Sequence, residues 1–226
     1  MRAVKFAIAI PQFFADGEFD PAAFRTYFSR AEELGFDSAW AQENMFGAAP
    51  QLSPLEAMTY AAACTQRLRL GCVVFVSTLH SPVHLAKSVA SLDQLSRGRI
   101  DVGVGTGGKA RSFAAFGVDP DRYLARFTEG IELMKALWTQ PSVTFDGEFW
   151  QLRDAPMEPR PFQKPHPPLW FGANGRIFPP VPTPTSIRPR LSWSSEARLL
   201  ARRTGLCRVD TNTTQPSRSR SVHAAA

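Results

Sequence analysis

Four glycines crowd the end of one apolar run. Gly103 and Gly105 lie within IDVGVG, and Gly107 and Gly108 follow Thr106. Glycine lets a backbone approach another group closely, so this end is a candidate ligand contact. A second group follows Ser38–Gln42: Glu43, which can titrate, and Asn44, which can hydrogen-bond but not exchange a proton near neutral pH. Gln12 and Phe13 close a third apolar run and would face a substrate. His80 and His84 flank a helix start, where His84 reads as a surface or packing residue. His166 and His223 have no partner that the sequence identifies. Other chemistries lack parts: there is no nucleophile elbow, no His-rich metal cluster and no phosphate loop carrying a lysine. Cys64, Cys72 and Cys207 lack metal-ligand spacing, and an odd count argues against a disulfide framework, so the expected setting is a reducing cytoplasm.

The elements that must position these residues are legible from Arg67 to Gly108. Leu68–Val76 is β-branched and apolar without alternation, as in a strand covered on both faces. Ser81-Pro82 opens a helix, with Ser as N-cap and Pro at the first position. Leu85, Val89 and Leu92 follow at helical spacing, and Gly98 closes the helix. Ile100–Val104 is the next buried strand. In parallel α/β folds ligands sit at the C-terminal ends of strands, where the glycines lie.

The flanking chain repeats the theme. Val4–Ile10 reads as a first strand rather than a signal peptide, since no small-residue cleavage site follows. Asp20-Pro21 caps a helix with Phe24, Phe28, Ala31 and Leu34 on its buried stripe, and Gly35 ends it. Ser53-Pro54-Leu55-Glu56 is a capping box. Residues 121–139 form a helix burying Phe127, Ile131, Met134 and Trp138. Val143–Leu152 is a hairpin turning at Asp146-Gly147, and Pro168–Gly172 is a fifth strand. The first four strands recur every 30 to 34 residues, a strand-plus-helix period. With helices after strands and no early nucleotide-binding glycine loop, a (β/α) barrel is favoured over a doubly wound sheet.

The net charge of +6 is not spread evenly. Residues 1–175 sum to −1 and residues 176–226 to +7. The body therefore has no electrostatic reason to bind nucleic acid. No run is long and apolar enough to span a bilayer. From Arg176 the composition shifts to Pro, Ser, Thr and Arg. Two domains are expected: a barrel part over 1–175 and a tail over 176–226 that is disordered. The abrupt shift in mid-period also suggests that the body's reading frame is lost near Gly175.

The motifs AEELGFDSAWAQEN (31–44), HSPVHLAKSVASLDQLSRGRIDVGVGTGG (80–108), RFTEGIELMKALWT (126–139) and PMEPRPFQKPHPPLWFGANG (156–175) together resemble the bacterial luciferase-like oxidoreductases. The resemblance implies an incomplete (β/α)8 TIM barrel, about five of its eight strands, with an inserted β-hairpin. It implies FMN or 8-hydroxy-5-deazaflavin (coenzyme F420) as cofactor, a small-molecule substrate, oxidoreductase or monooxygenase activity, and a homodimer. Carried over residue by residue, a cis peptide backing the ring falls at Cys72-Val73, and Gly105, Thr106 and Gly107 approach the cofactor. Relatives often place a His where Asn44 stands, which leaves Glu43 as the ionisable catalytic candidate beside it. Several place Arg at position 106 or Glu at 108, and this chain has neither. Strands seven and eight, whose loops build the usual phosphate site, have no counterpart, so weak cofactor binding is expected. The alternative expectation is a non-catalytic half-barrel acting through a partner or itself. A third, minor one is anion binding by the Arg-rich tail.

Overall fold

The computed structural model describes residues 4–14, 18–108 and 111–172, and the backbone of Leu206–Cys207. The elements in order are β1 (Ala7–Ala9), α1 (Pro21–Glu33), β2 (Ser38–Ala41), α2 (Pro54–Cys64), β3 (Arg69–Val76), a 3-10 turn (Ser77–Leu79), α3 (Pro82–Leu95), β4 (Ile100–Gly105), α4 (Arg111–Ala115), α5 (Tyr123–Thr139), β5 (Val143–Asp146), β6 (Gln151–Ala155), β7 (Leu169–Gly172) and β8 (Leu206–Cys207). The main sheet runs β1-β2-β3-β4-β7-β8, and β1 to β7 pair in parallel within it. β5 and β6 form the separate antiparallel hairpin.

Consecutive helices α1, α2, α3 and α5 pack on one another along one side of the sheet. Toward them point Ala39, Ala41, Leu70, Cys72, Val102 and Val104, all fully buried. Phe171 meets Phe127 of α5 on that side. The opposite face carries Trp40 and Trp170, whose rings meet edge to face at 5.5 Å. The Asp101 carboxylate lies on this face too, accepting Arg69 Nε at 2.7 Å and Trp170 Nε1 at 3.3 Å. One helical layer outside and an aromatic–ionic layer inside are the arrangement of a barrel, here five parallel strands among the described residues.

Local chemistry sets the boundaries. Asp20 Oδ1 accepts the amides of Ala22 at 2.8 Å and Ala23 at 3.0 Å, and Gly35 leaves α1 with φ +78°. Ser81 caps α3 by accepting the His84 amide, and Gly98, at φ +82°, returns its amide to the Asp93 carbonyl at 2.9 Å.

Several expectations are corrected. Only Ala7–Ala9 of the run 4–10 pairs as a strand. Val4 and Phe6 stand about half exposed beside it. Leu34 is 59% exposed because it caps α1 beyond its buried face. The Ser53 hydroxyl bonds the Glu56 carboxylate side chain to side chain, so neither backbone bond of the expected capping box is made among the described residues. The hairpin loop spans 147–150, because Gly147 N–H reaches Trp150 O at 3.0 Å, and β6 extends to Ala155. The short α4 has no periodicity that a sequence window could detect. The disorder expected of residues 176–226 lies outside the described residues. Within that span Leu206–Cys207 forms a strand antiparallel to β7.

Two carboxylates fasten the connections. Asp93, fully buried, accepts Gln163 N and Gln163 Nε2, each at 2.8 Å, and so holds the proline-rich connector against α3. Replacing Asp93 by Ala strands those donors, and we expect a loss of about 2 kcal/mol in urea unfolding. A loss near zero would show the connector to be held otherwise. Glu32 accepts the amides of Gln66, Arg67 and Leu68, which starts β3. Burial works to raise the Glu32 carboxyl, but those amides and the Arg67 charge outweigh it and hold it below its ordinary 4.5. A depressed folded value stabilises above the unfolded value, and that contribution is lost as pH falls through the folded one. The fall in urea midpoint below about pH 4.5 should therefore be shallower in Glu32→Gln than in wild type. Identical slopes would contradict the assignment.

Candidate functional site

The site is built where β3 carries one residue more than β4. The two strands pair regularly up to Cys72–Val102 and again from Phe75–Val104. Between those points Val73 and Val74 oppose the single residue Gly103, which makes a bulge. The Val73–Val74 peptide is cis. The sequence reading placed that bond at Cys72-Val73, one position early. Cys72 stays in the regular ladder with its side chain buried toward the helices, and the irregularity begins after it. Burial, then the Glu43 charge, pushes the Cys72 thiol well up. It is therefore a neutral packing group, and only its backbone reaches the inner face.

At the bulge the Cys72 carbonyl oxygen occupies the place a Cβ on Gly103 would take. One step on, a Cβ on Gly105 would come 2.6 Å from Val74 Cγ2. Val74 thus fills the gap beside β4, and Val76 does the same beside Gly107, which has φ +70°. The glycines predicted to approach a ligand instead admit the valines of β3. Together Val74 and Val76 form an apolar floor over these glycines. Gly108 is different, for among the described residues nothing lies within 4 Å of where its Cβ would be. The Thr106 carbonyl accepts Thr78 Oγ1 at 2.8 Å, which binds this loop to the 3-10 turn after β3. Arg126 of α5 reaches the same turn, its Nε donating to Thr78 O at 3.2 Å while its guanidinium lies over Trp150.

Glu43 and His80 meet beside this floor. Glu43 Oε2 accepts the Val76 amide at 2.6 Å, and Oε1 lies 2.8 Å from His80 Nε2. The Glu43 side chain is 3% exposed and that of His80 17%. In the tautomer whose Nε2–H donates to Glu43, the lone pair falls on Nδ1. Nδ1 has no partner among the described residues. His80 was singled out only as flanking a helix. The signal was available: Glu43 and His80 each lie just past the C-terminal end of neighbouring parallel strands.

The other predicted site residues separate. Asn44 is exposed, beside Gly47. Gln12 does not face a substrate. It is 1% exposed, its Nε2 donates to the carbonyls of Gln42 and Leu52, and its Oε1 accepts the Gln42 amide at 2.7 Å. Both of its amide hydrogens and an Oε1 lone pair go into clamping the ends of β1 and β2 to the start of α2. Phe13 is 52% exposed and remains available at this rim.

A family model described as luciferase-like monooxygenase matches residues 4–177. The chain is 35% identical over 168 residues to an F420-dependent glucose-6-phosphate dehydrogenase of Kineococcus radiotolerans, covering 70% of this chain and 48% of that protein. It is 32% identical over 152 residues to an FMNH(2)-dependent dimethylsulfone monooxygenase of Pseudomonas putida, covering 65% and 42%. The crystal structure of the monooxygenase RslO1 from Streptomyces bottropensis superposes with a TM-score of 0.67 at 31% identity, covering 75% of this chain and 53% of that one. The chain spans about half the length of the proteins it matches. Among the described residues no helix is long and apolar enough to cross a membrane.

The floor makes a paired prediction. Gly103→Ala places a methyl on a backbone oxygen that cannot move aside, and should cost about 2 kcal/mol or more in thermal unfolding. Gly108→Ala meets no described atom and should leave the transition unchanged. Equal effects of the two would contradict the bulge geometry.

Proposed function

The chain belongs to the luciferase-like monooxygenase family, and from that membership we propose that it is part of an oxidoreductase working with reduced FMN or coenzyme F420 on a small organic substrate. The observation that carries the proposal is the apolar floor of Val74 and Val76 over Gly105 and Gly107 at the C-terminal rim, with the Glu43–His80 pair joined to β3 through the Val76 amide. An uncharged apolar floor suits one face of a planar heteroaromatic ring. When bound, such a ring supplies the redox chemistry, and the protein supplies position, dryness and proton handling.

Each residue has a part in this reading. Val74 and Val76 back the ring. The open place at Gly108 and the backbone of Thr106 and Gly107 border it, with Arg126 as the described cation reaching the turn beneath that loop. An anionic tail would find its charge partner there. Glu43 is a positioning residue: it fixes the tautomer and orientation of His80. His80 Nδ1 takes a proton from the substrate, or returns one. It stands in for the titratable group that Asn44 cannot provide. Phe13 and Asn44 face the substrate side. By the same reading the assembly is a homodimer and its setting cytoplasmic.

Titration with FMN and with F420, followed by fluorescence, tests this. At least one should give saturable quenching. Gly108→Phe, which fills the open place, should weaken it about tenfold or more, and His80→Ala should leave it nearly unchanged. Absence of quenching by both, or indifference to Gly108→Phe, would overturn the proposal.

A further inference from the structure

The inserted hairpin is a separate two-stranded sheet, and its loop reaches back to the barrel through α5. Glu129 fastens that loop, accepting the amides of Glu148 and Phe149 at 2.9 Å and of Trp150 at 3.0 Å. Arg122, at the cap of α5, pairs with the Glu148 carboxylate and lies over Phe149. These attachments are made without Arg126. Arg126, one turn along, has its guanidinium 4.6 Å from the Trp150 ring centroid. The indole in turn lies against α5 at Gly130, where a Cβ would stand 3.5 Å from Trp150 Cη2 and 3.7 Å from Pro82 Cβ. The loop thus also abuts the first residue of α3, two positions after His80. A ring face holds the plane of a guanidinium, and with the plane held the direction of Nε–H is set. Here Nε donates to Thr78 O at 3.2 Å. Thr78 is fully buried, and its hydroxyl donates to Thr106 O at 2.8 Å. One residue therefore joins Arg126 on one side to the loop after β4 on the other.

We propose that the hairpin loop sets the rim: Trp150, acting through Arg126 and Thr78, holds the Thr106 carbonyl and with it the loop that borders the bound ring. Arg126 is a positioning residue in this chain of contacts. Without the indole face its long side chain regains rotamer freedom, and the buried Thr78 carbonyl loses a fixed donor. The turn 77–79 then relaxes, and the Thr106–Gly107 peptide loses its place. The ligand part of this rests on the function proposed above. A loop ordered in advance costs a bound ring no ordering entropy, so loosening it weakens binding without removing a contact.

The test reads the carbonyl carbon shift of Thr106 by NMR in the isotope-labelled, cofactor-free chain. Trp150→Leu and Arg126→Lys should each move it, and Trp150→Phe, which restores a ring face, should return it most of the way. Thr78→Val, which removes the hydroxyl, should move it furthest, and Trp150→Leu added to Thr78→Val should move it no more. In titrations with FMN and F420, Trp150→Leu should weaken the cofactor that binds about fivefold, the scale of one cation–π contact. In the Thr78→Val background the same change should cost less than about twofold, because the coupling is gone. A Thr106 carbonyl unmoved by Trp150→Leu and Arg126→Lys, whatever their melting temperatures, would overturn the proposal, since the hairpin would then support α5 alone. Equal weakening with and without the Thr78 hydroxyl would overturn it too. Arg126→Lys, at a partly exposed position, carries the comparison if Trp150→Leu folds poorly. The carbonyl shifts need no cofactor, so they decide this inference even where both cofactor titrations fail and the proposed function falls.

Discussion

Everything on the rim depends on one close approach, the Cys72 carbonyl lying over Gly103. β3 must spend two residues, Val73 and Val74, where β4 spends one. The surplus can be held only because the facing position has no side chain. From that single accommodation follow the turning of Val74 toward Gly105, the apolar floor it makes with Val76, and the delivery of the Val76 amide to Glu43. A sheet regular through this point would present alternating side chains at the strand ends and no platform.

Carboxylates do the fastening elsewhere, and comparison among them isolates the unusual one. Glu32 gathers three amides at the start of β3, Glu129 gathers those of Glu148, Phe149 and Trp150 in the hairpin loop, and Asp93 takes both donors of Gln163. In each the carboxylate satisfies donors the chain would otherwise leave unpaired where it turns. Glu43 spends one oxygen the same way and turns the other to an imidazole. It is also the one of the four at the C-terminal end of the parallel strands. The general device of the fold becomes a proton-handling device at the one place where ligands gather.

Much of the frame was legible because it is local. Asp20-Pro21 and Ser81-Pro82 announce helix starts by backbone chemistry acting over three or four residues, and the unbroken apolar runs of β3 and β4 announce strands covered on both faces. The site was legible only in outline. Glu43 and the glycines were identifiable by position, but what fills the space at Gly105 and Gly107 is settled by valines about thirty residues away. Gln12 had the look of a rim residue and is a clamp, since its partners at Gln42 and Leu52 come from other segments. His80 gains its meaning from Glu43, thirty-seven residues earlier. Pairings across strands depend on register, and a bulge shifts register in a way no periodicity displays.

The central claim is that β3 valines at the bulge form the surface on which a flavin-type ring rests. Intermolecular NOEs between the ring methyl protons of added FMN and methyl-labelled valines read this directly, even for weak binding in fast exchange. The account predicts contacts to Val74 and Val76 and none to Val143 of the hairpin. Contacts confined to the hairpin side, with Val74 and Val76 silent under saturating FMN, would contradict it.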